Sequence, residues 1–188
     1  ADVSGYILLL GSGDREKPLL GYTNAAGVAN YFFAIKDQPG NATWLSSENA
    51  TCGADLLCLD SLLAITSGAT PTDAALAVKK GWYLGLASTE QVVTSAITVF
   101  GVVTFSTHTP AVATPGQCSN LGVAKVYNID YANADGPDGE RFALLAGLRL
   151  PPAPGAGMVS LGECSTGPFT IGANPDSPLE GSPPISPL

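Results

Sequence analysis

Charge and histidine are scarce in this sequence. Charged residues make up 13% of the 188 residues, and His108 is the only histidine. The net charge is −8, and the only basic cluster is the pair Lys79-Lys80. Nucleic acids and anionic membranes are bound through basic patches, so the composition argues against both as partners. No apolar run approaches the roughly 20 residues that a membrane-spanning helix needs.

Cysteine is also sparse, and its spacing excludes the common metal motifs. The four cysteines form no C-x-x-C pair, and with a single histidine a zinc site is not expected. Two disulfides in an oxidising compartment are the better interpretation, which predicts an exported protein. We favour the pairs Cys52–Cys58 and Cys118–Cys164, although the sequence alone leaves the connectivity open.

Turn-forming residues are abundant. The 22 glycines and 15 prolines predict many short elements, which favours an all-β chain. Apolar or alternating runs predict the strands 6–10, 31–35, 82–84, 94–100, 102–107, 124–131 and 141–145. Short helices are expected at 55–65, from the leucine spacing, and at 72–80, where a threonine cap precedes an aspartate.

The strands within 92–145 are arranged like one blade of a β-propeller. Four antiparallel strands in about 50 residues are the usual content of a blade. The same template fits the preceding strands, and a first strand could restart near 158–161. We therefore expect an all-β chain with about two and a half four-stranded antiparallel blades, and short helices in an inserted loop. Residues 1–171 would be the C-terminal part of a propeller, and 172–188 a proline-rich extended tail.

A glycine-rich segment follows the first predicted strand. Its residues are Gly11, Gly13, Asp14, Arg15 and Glu16, with Ser12 between the glycines. It lacks the Lys-Ser/Thr end of a phosphate-binding loop and the third glycine of a dinucleotide fingerprint. We interpret it as a tight turn at a strand end, in which Arg15 pairs with a nearby carboxylate.

Other candidate sites are weaker. An acidic stretch partly matches a calcium loop, but Tyr131 stands where the first ligand is needed. Its candidate ligands are Asp130, Asn133, Asp135, Asp138 and Glu140. A solvated hairpin turn explains the stretch better, so no metal site is assigned. No G-x-S-x-G nucleophile elbow accompanies His108 in the sequence, so no catalytic residue is assigned. Trp82 and Tyr83 are interpreted as packing aromatics rather than a sugar platform.

Several segments in fixed order resemble one protein family. They are "LLLGSGDREKPL", "NYFFAIKD", "DSLLAIT", "KGWYLGL", "EQVVTSAITVFGVVTFSTHTP" and "CSNLGVAKVYNIDYANADG". Together they resemble the C-terminal β-propeller of PilY-type proteins, which are associated with the tip of the type IV pilus. The turn residues 11–16 belong to this motif set.

The resemblance implies a non-catalytic, extracellular protein at the pilus tip. It would act in pilus assembly and surface adhesion, with minor pilins or other tip subunits and a host or abiotic surface as partners. Some family members bind calcium, but no matching loop occurs here, so no cofactor is assigned to this segment. The alternatives are a fragment of a quinoprotein-type propeller dehydrogenase and a secreted β-rich assembly or structural subunit.

Overall fold

A computed structural model describes residues 5–66, 69–112, 122–137, 139–145, 150–160 and 166–171. The described residues are mostly β-structure, as the sequence predicts, arranged in two main sheets and a two-stranded ribbon. None of these sheets closes into a barrel within the described ranges. The expected propeller, its blade count and the division at residue 171 stay predictions. The tail 172–188 lies outside the described residues.

The first sheet has four strands. They are β1 (Tyr6–Gly11), β2 (Tyr31–Asp37), β3 (Leu63–Ile65) and β4 (Gly81–Gly85). Their spatial order is β1-β2-β4-β3, so β1 is an edge strand of this sheet. β1, β2 and β4 pair antiparallel, but β3 runs parallel to β4. The parallel edge differs from the purely antiparallel blade that the sequence predicts.

The second sheet matches the predicted strand pattern well. Its strands are β5 (Gln91–Val92), β6 (Ile97–Val99), β7 (Val102–Thr109), β8 (Val123–Asp130) and β9 (Phe142–Leu144). β6, β7, β8 and β9 follow one another as an antiparallel meander, and β5 also pairs with β7. β7 is buried along almost its whole length, and β8 keeps several half-buried positions, as expected for strands in the interior of a sheet.

The remaining elements are short. β10 (Gly155–Ser160) and β11 (Thr166–Ile171) form the ribbon. The helices are α1 (Thr23–Ala26) and α2 (Asp73–Ala77), with single 3-10 turns at Ser46–Glu48 and Leu59–Ser61. The Thr72 side chain accepts a hydrogen bond from the Ala75 amide, which confirms the predicted cap of α2.

Two sequence predictions of local structure are wrong. The segment 55–65 is not a helix, because Leu63–Ile65 pairs with β4 and only Leu59–Ser61 forms a 3-10 turn. The strand expected at 94–100 is shorter and begins at Ile97. Thr94 instead uses its side-chain oxygen to accept a hydrogen bond from the Ser106 amide, which replaces a ladder bond with a side-chain bond.

The core lies between the two main sheets. The Phe32 ring of β2 is parallel to the Phe105 ring of β7, with centroids 3.8 Å apart. Phe105 in turn stacks on Tyr127 of β8 at 4.8 Å. Trp82 of β4 is buried in the same core, and its indole Nε1 donates to the Tyr131 carbonyl at 2.9 Å. Aromatic burial therefore fixes how the two sheets face each other.

Candidate functional site

The glycine-rich turn connects the two sheets. The Ser12 carbonyl accepts a hydrogen bond from the Val92 amide of β5 at 2.9 Å, and the Ser12 amide donates to the Tyr31 carbonyl of β2 at 2.9 Å. The Asp14 amide donates to the Gln91 side chain at 3.0 Å, and Asp14 Oδ1 accepts from the amides of Glu16 and Lys17. These bonds hold the end of β1 against β5, and the chain bends at Arg15 and Glu16, while the tight turn itself stays a prediction.

Arg15 has a different role from the one expected. Its guanidinium donates to the carbonyl oxygens of Val93 at 2.9 Å and Pro151 at 3.0 Å, rather than to a carboxylate. It therefore links the turn to the chain beyond the second sheet. Gly11 and Gly13 are required because a side chain at either position would overlap Val92, and Gly13 has a positive φ of 152°. The segment therefore has a structural role, because it holds the two sheets together through hydrogen bonds.

A buried carboxylate lies at the other end of β5. Glu90 is fully buried, and its side chain accepts hydrogen bonds from Thr107 at 2.6 Å and from the Tyr127 hydroxyl at 3.0 Å. The Lys125 ammonium lies 2.7 Å from Glu90 Oε2, which also accepts from the Ala87 amide at 3.2 Å. We call Glu90, Thr107, Lys125 and Tyr127 the Glu90 cluster. Four donors saturate this carboxylate, as a buried charge requires.

The Glu90 cluster borders a cavity of about 460 Å³, which is also lined by Arg141 and Phe142. The Lys125 ammonium lies 4.5 Å from the centre of the Phe142 ring. Burial and the adjacent Glu90 carboxylate raise the pKa of Tyr127 well above its usual value of 10.0. A phenol that holds its proton so firmly is a poor general acid or base near neutral pH, so the cluster fits a structural role.

Sequence reasoning missed the Glu90 cluster. One signal was present, because alternation along β8 places Lys125 and Tyr127 on the same face of the strand. Their convergence on Glu90 could not be predicted, because Glu90 precedes β5 and the strands β5, β6 and β7 separate it from β8 along the chain.

The acidic turn after β8 uses its oxygens internally. Asp130 Oδ1 accepts from the Ala132 amide, Asn133 Oδ1 from the Asp135 amide, and Asp135 Oδ2 from the Thr70 hydroxyl. Asp138 lies outside the described residues, and Glu140 is exposed. Within the described part of the chain, no group of three or more acidic, histidine or cysteine residues could hold a metal ion. The calcium-loop hypothesis stays untested.

The remaining predicted residues are placed as follows. Cys52 and Cys58 form a disulfide, whereas Cys118 and Cys164 lie outside the described residues, so their pairing stays a prediction. His108 is buried in β7 and paired in register with Gln91. Trp82 is a packing residue, as expected. Tyr83 instead lies on the opposite face of the first sheet.

That opposite face is apolar and incompletely covered. It carries the side chains that alternate with the core residues of β1, β2 and β4, and we call it the outer face. Its members are Tyr6, Leu8, Leu10, Tyr31, Phe33, Ile35 and Tyr83, with the single charged residue Asp37 at its end opposite Tyr6. Tyr31, Phe33 and Tyr83 form an aromatic cluster with ring centroids 5.4–6.3 Å apart. Within the described residues, Tyr6 remains 66%, Leu10 52% and Leu8 44% exposed.

The edge of β1 adds backbone groups to this surface. The Lys36 amide of β2 points to β4, where it donates to the Lys80 carbonyl. Backbone groups of successive residues point to opposite sides of a strand. The N–H and C=O groups of Ile35 and Phe33 therefore point to β1, where they pair with those of Leu8 and Leu10. Ile7 and Leu9 consequently direct their N–H and C=O groups away from β2, to an edge with which no other described strand pairs. Edge strands and apolar faces of this kind are typical places of contact with a further sheet or chain.

Comparison with known proteins gives little further information. No family model matches the chain, and no curated protein is similar to it. Among solved structures, the C-terminal domain of PilY1 from Pseudomonas aeruginosa is similar, with 17% sequence identity and a TM-score of 0.44. The alignment covers 70% of this chain and 29% of that one, so the chain spans less than a third of that domain. No helix among the described residues is long and apolar enough to cross a membrane.

Proposed function

We propose that the chain is a non-catalytic protein of the type IV pilus tip. It contributes to pilus assembly and surface adhesion through contacts made by its β-sheets, as part of a propeller. The ordered motifs that resemble PilY-type proteins supply the family hypothesis. The name of the PilY1 domain agrees with that hypothesis, but a similarity at this level carries no weight of its own.

The observation that carries the proposal is the outer face. Soluble monomers rarely leave several large apolar side chains and an unpaired strand edge together in water. Leu8 and Leu10 lie next to the aromatic cluster on this face, and β1 contains no charged residue. Protein interfaces have an apolar, aromatic centre of this kind. The surface therefore fits the neighbouring blade of the proposed propeller, or a protein partner such as a minor pilin or another tip subunit.

The polar interior supports a non-catalytic role. The Glu90 carboxylate is fully buried and is held by Thr107, Lys125, Tyr127 and a backbone amide, which is the environment of a structural ion pair. His108, the only histidine of the chain, is 1% exposed in the middle of the second sheet. The Cys52–Cys58 disulfide supports export to an oxidising compartment, as a pilus tip requires.

Gene deletion in the source bacterium tests this proposal. We expect the deletion strain to lose surface pili and adhesion, and the wild-type gene to restore both. Phe33→Lys places a charge in the outer face and should fail to restore them, although the protein is exported in normal amounts. Val78→Lys is the matched control, because Val78 is 76% exposed and lies outside the outer face. Normal piliation and adhesion in the deletion strain would contradict the proposed function.

A further inference from the structure

We propose that the Cys52–Cys58 disulfide is a redox switch for the strand β3. When the disulfide is present, the start of β3 is held on β4, and when the disulfide is reduced, the start of β3 is released. β3 would then join the first sheet only after the chain has reached an oxidising compartment. The inference goes beyond the proposed function and does not depend on it, because it concerns only this disulfide and its neighbours.

The disulfide closes a short ring directly before β3. Cys52 and Cys58 are six residues apart, and the 3-10 turn Leu59–Ser61 follows Cys58 at once. Inside the ring, Asp55 has a φ of 56°, in the left-handed region that residues other than glycine rarely adopt. Such a backbone persists only where the surrounding structure holds it. The ring should therefore relax once the disulfide is broken.

Ser61 connects the ring to the start of β4. Its hydroxyl oxygen lies 3.1 Å from Cys52 Sγ and accepts a hydrogen bond from the Cys58 amide at 3.3 Å. Its carbonyl accepts a hydrogen bond from the amide of Lys80, the residue before β4, at 2.9 Å. Ser61 is 1% exposed, so water does not replace these partners in the folded chain. The disulfide and the start of β4 are thus joined through one buried residue.

β3 is a short strand that is fastened at each end. It has three residues and, among the described strands, pairs only with β4. Beyond its far end, the Arg141 guanidinium donates to the carbonyl oxygens of Thr66 at 2.9 Å and Ala69 at 2.8 Å, whatever the redox state. Without the ring, the start of β3 keeps mainly the packing of one buried side chain, Leu62. Release should therefore begin at Leu62 and diminish towards Ile65.

The switch uses thiol–disulfide exchange. A dithiol gives two electrons and two protons to the Cys52–Cys58 bond, which becomes two thiols, while the dithiol itself becomes a disulfide. In the reverse reaction, the disulfide of an oxidising partner takes the two electrons and two protons back. Neither cysteine is fully buried, so a small dithiol has a route to the bond.

Hydrogen exchange with and without dithiothreitol tests the inference. The protein is the 188-residue chain with Cys118→Ala and Cys164→Ala, in which Cys52 and Cys58 are the only cysteines. Reduction should speed exchange of the Lys80 and Leu62 amides at least about tenfold, since a disulfide typically stabilises the structure it closes by more than that factor. The amides of β7 and β8 should be unaffected.

A second variant is the matched control. Cys52→Ala with Cys58→Ala keeps the other two cysteines, and its Lys80 and Leu62 amides should exchange fast with or without dithiothreitol. If the first variant does not fold, this second one compared with the oxidised wild-type chain gives the same test.

Two results would overturn the inference. One is equal exchange of the Lys80 and Leu62 amides in the oxidised and reduced chains, once alkylation shows that both thiols have formed. The other is faster exchange that extends equally to β7 and β8, since the disulfide would then stabilise the whole chain rather than switch β3. Either result can occur while the deletion strain still loses its pili, so the two proposals fail separately.

Discussion

The two main sheets differ in how much of each is covered. In the second sheet, both faces of β7 are buried: Val103 and Phe105 pack towards the first sheet, while Thr104, Ser106 and His108 are buried on the other face. In the first sheet, the face with Phe32 and Trp82 is buried, but the outer face is only partly covered. Within the described residues, the centre of the second sheet is thus covered on both faces, although its edge strand β9 is exposed, whereas the first sheet is covered on one face only.

This difference separates residues that hold the fold from residues available for function. Side chains between the sheets and in the Glu90 cluster contribute to the free energy of unfolding. The exposed side chains of the outer face, which are Tyr6, Leu8 and Leu10, contribute less to it and are available for contacts with another surface. Substitutions between the sheets should therefore lower the free energy of unfolding most, and substitutions of the exposed outer-face side chains should lower it least.

Phe105→Ala should be the most damaging single change. Phe105 is fully buried and stacks on both Phe32 and Tyr127, so its truncation opens a cavity between the two sheets. We expect a loss of about 4 kcal/mol in the free energy of unfolding. Urea denaturation of dilute protein measures it. A loss below about 1 kcal/mol would show that the two sheets do not pack through this residue.

Glu90→Ala should be nearly as severe. It would leave Lys125, Thr107 and Tyr127 without their shared acceptor in a buried site, at a cost of about 3 kcal/mol. The isosteric Glu90→Gln keeps an acceptor but loses the charge, and should cost less. Denaturation of both variants gives the comparison. Equal and small losses would mean that the Glu90 cluster does not hold β5 to β8.

Tyr127→Phe should change the response to alkali. Because the pKa of Tyr127 is raised in the folded protein, only the unfolded chain loses this proton just above pH 10. The stability linked to Tyr127 is therefore complete below pH 10 and is lost as the pH rises further. The variant should be about 1 kcal/mol less stable at pH 8, through the lost hydrogen bond to Glu90. That deficit should shrink by about pH 11. A constant deficit would contradict the burial of the phenol.

Tyr6→Ser should have the smallest effect on folding. Tyr6 is 66% exposed on the outer face and makes no core contact, so we expect a change within about 0.5 kcal/mol. Thermal denaturation at low protein concentration measures this. A large loss of stability would place Tyr6 in the fold-forming region and remove the distinction between the two sheets.

The sequence predicted the strands whose alternation reflects burial, but not the elements decided by distant contacts. The runs that became β7 and β8 lie close to their predicted bounds. Segment 55–65 has leucines at helical spacing, yet Leu63–Ile65 is drawn into pairing with β4. The end of β1 was predictable, because glycines after an apolar run favour a break in the strand. The hydrogen bonds of Asp14 to Gln91 and of Arg15 to Val93 could not be predicted, because these partners lie 77 and 78 residues away in the sequence.

Hydrogen exchange of individual backbone amides is the most direct test of the difference between the sheets. In dilute protein, the outward-facing amides of Ile7 and Leu9 should exchange far faster than those of Leu8 and Leu10, which point to β2. The amides of β7 and β8 should be the slowest. If the amides of Ile7 and Leu9 are protected in dilute protein, the edge is covered and the account of an open first sheet is wrong.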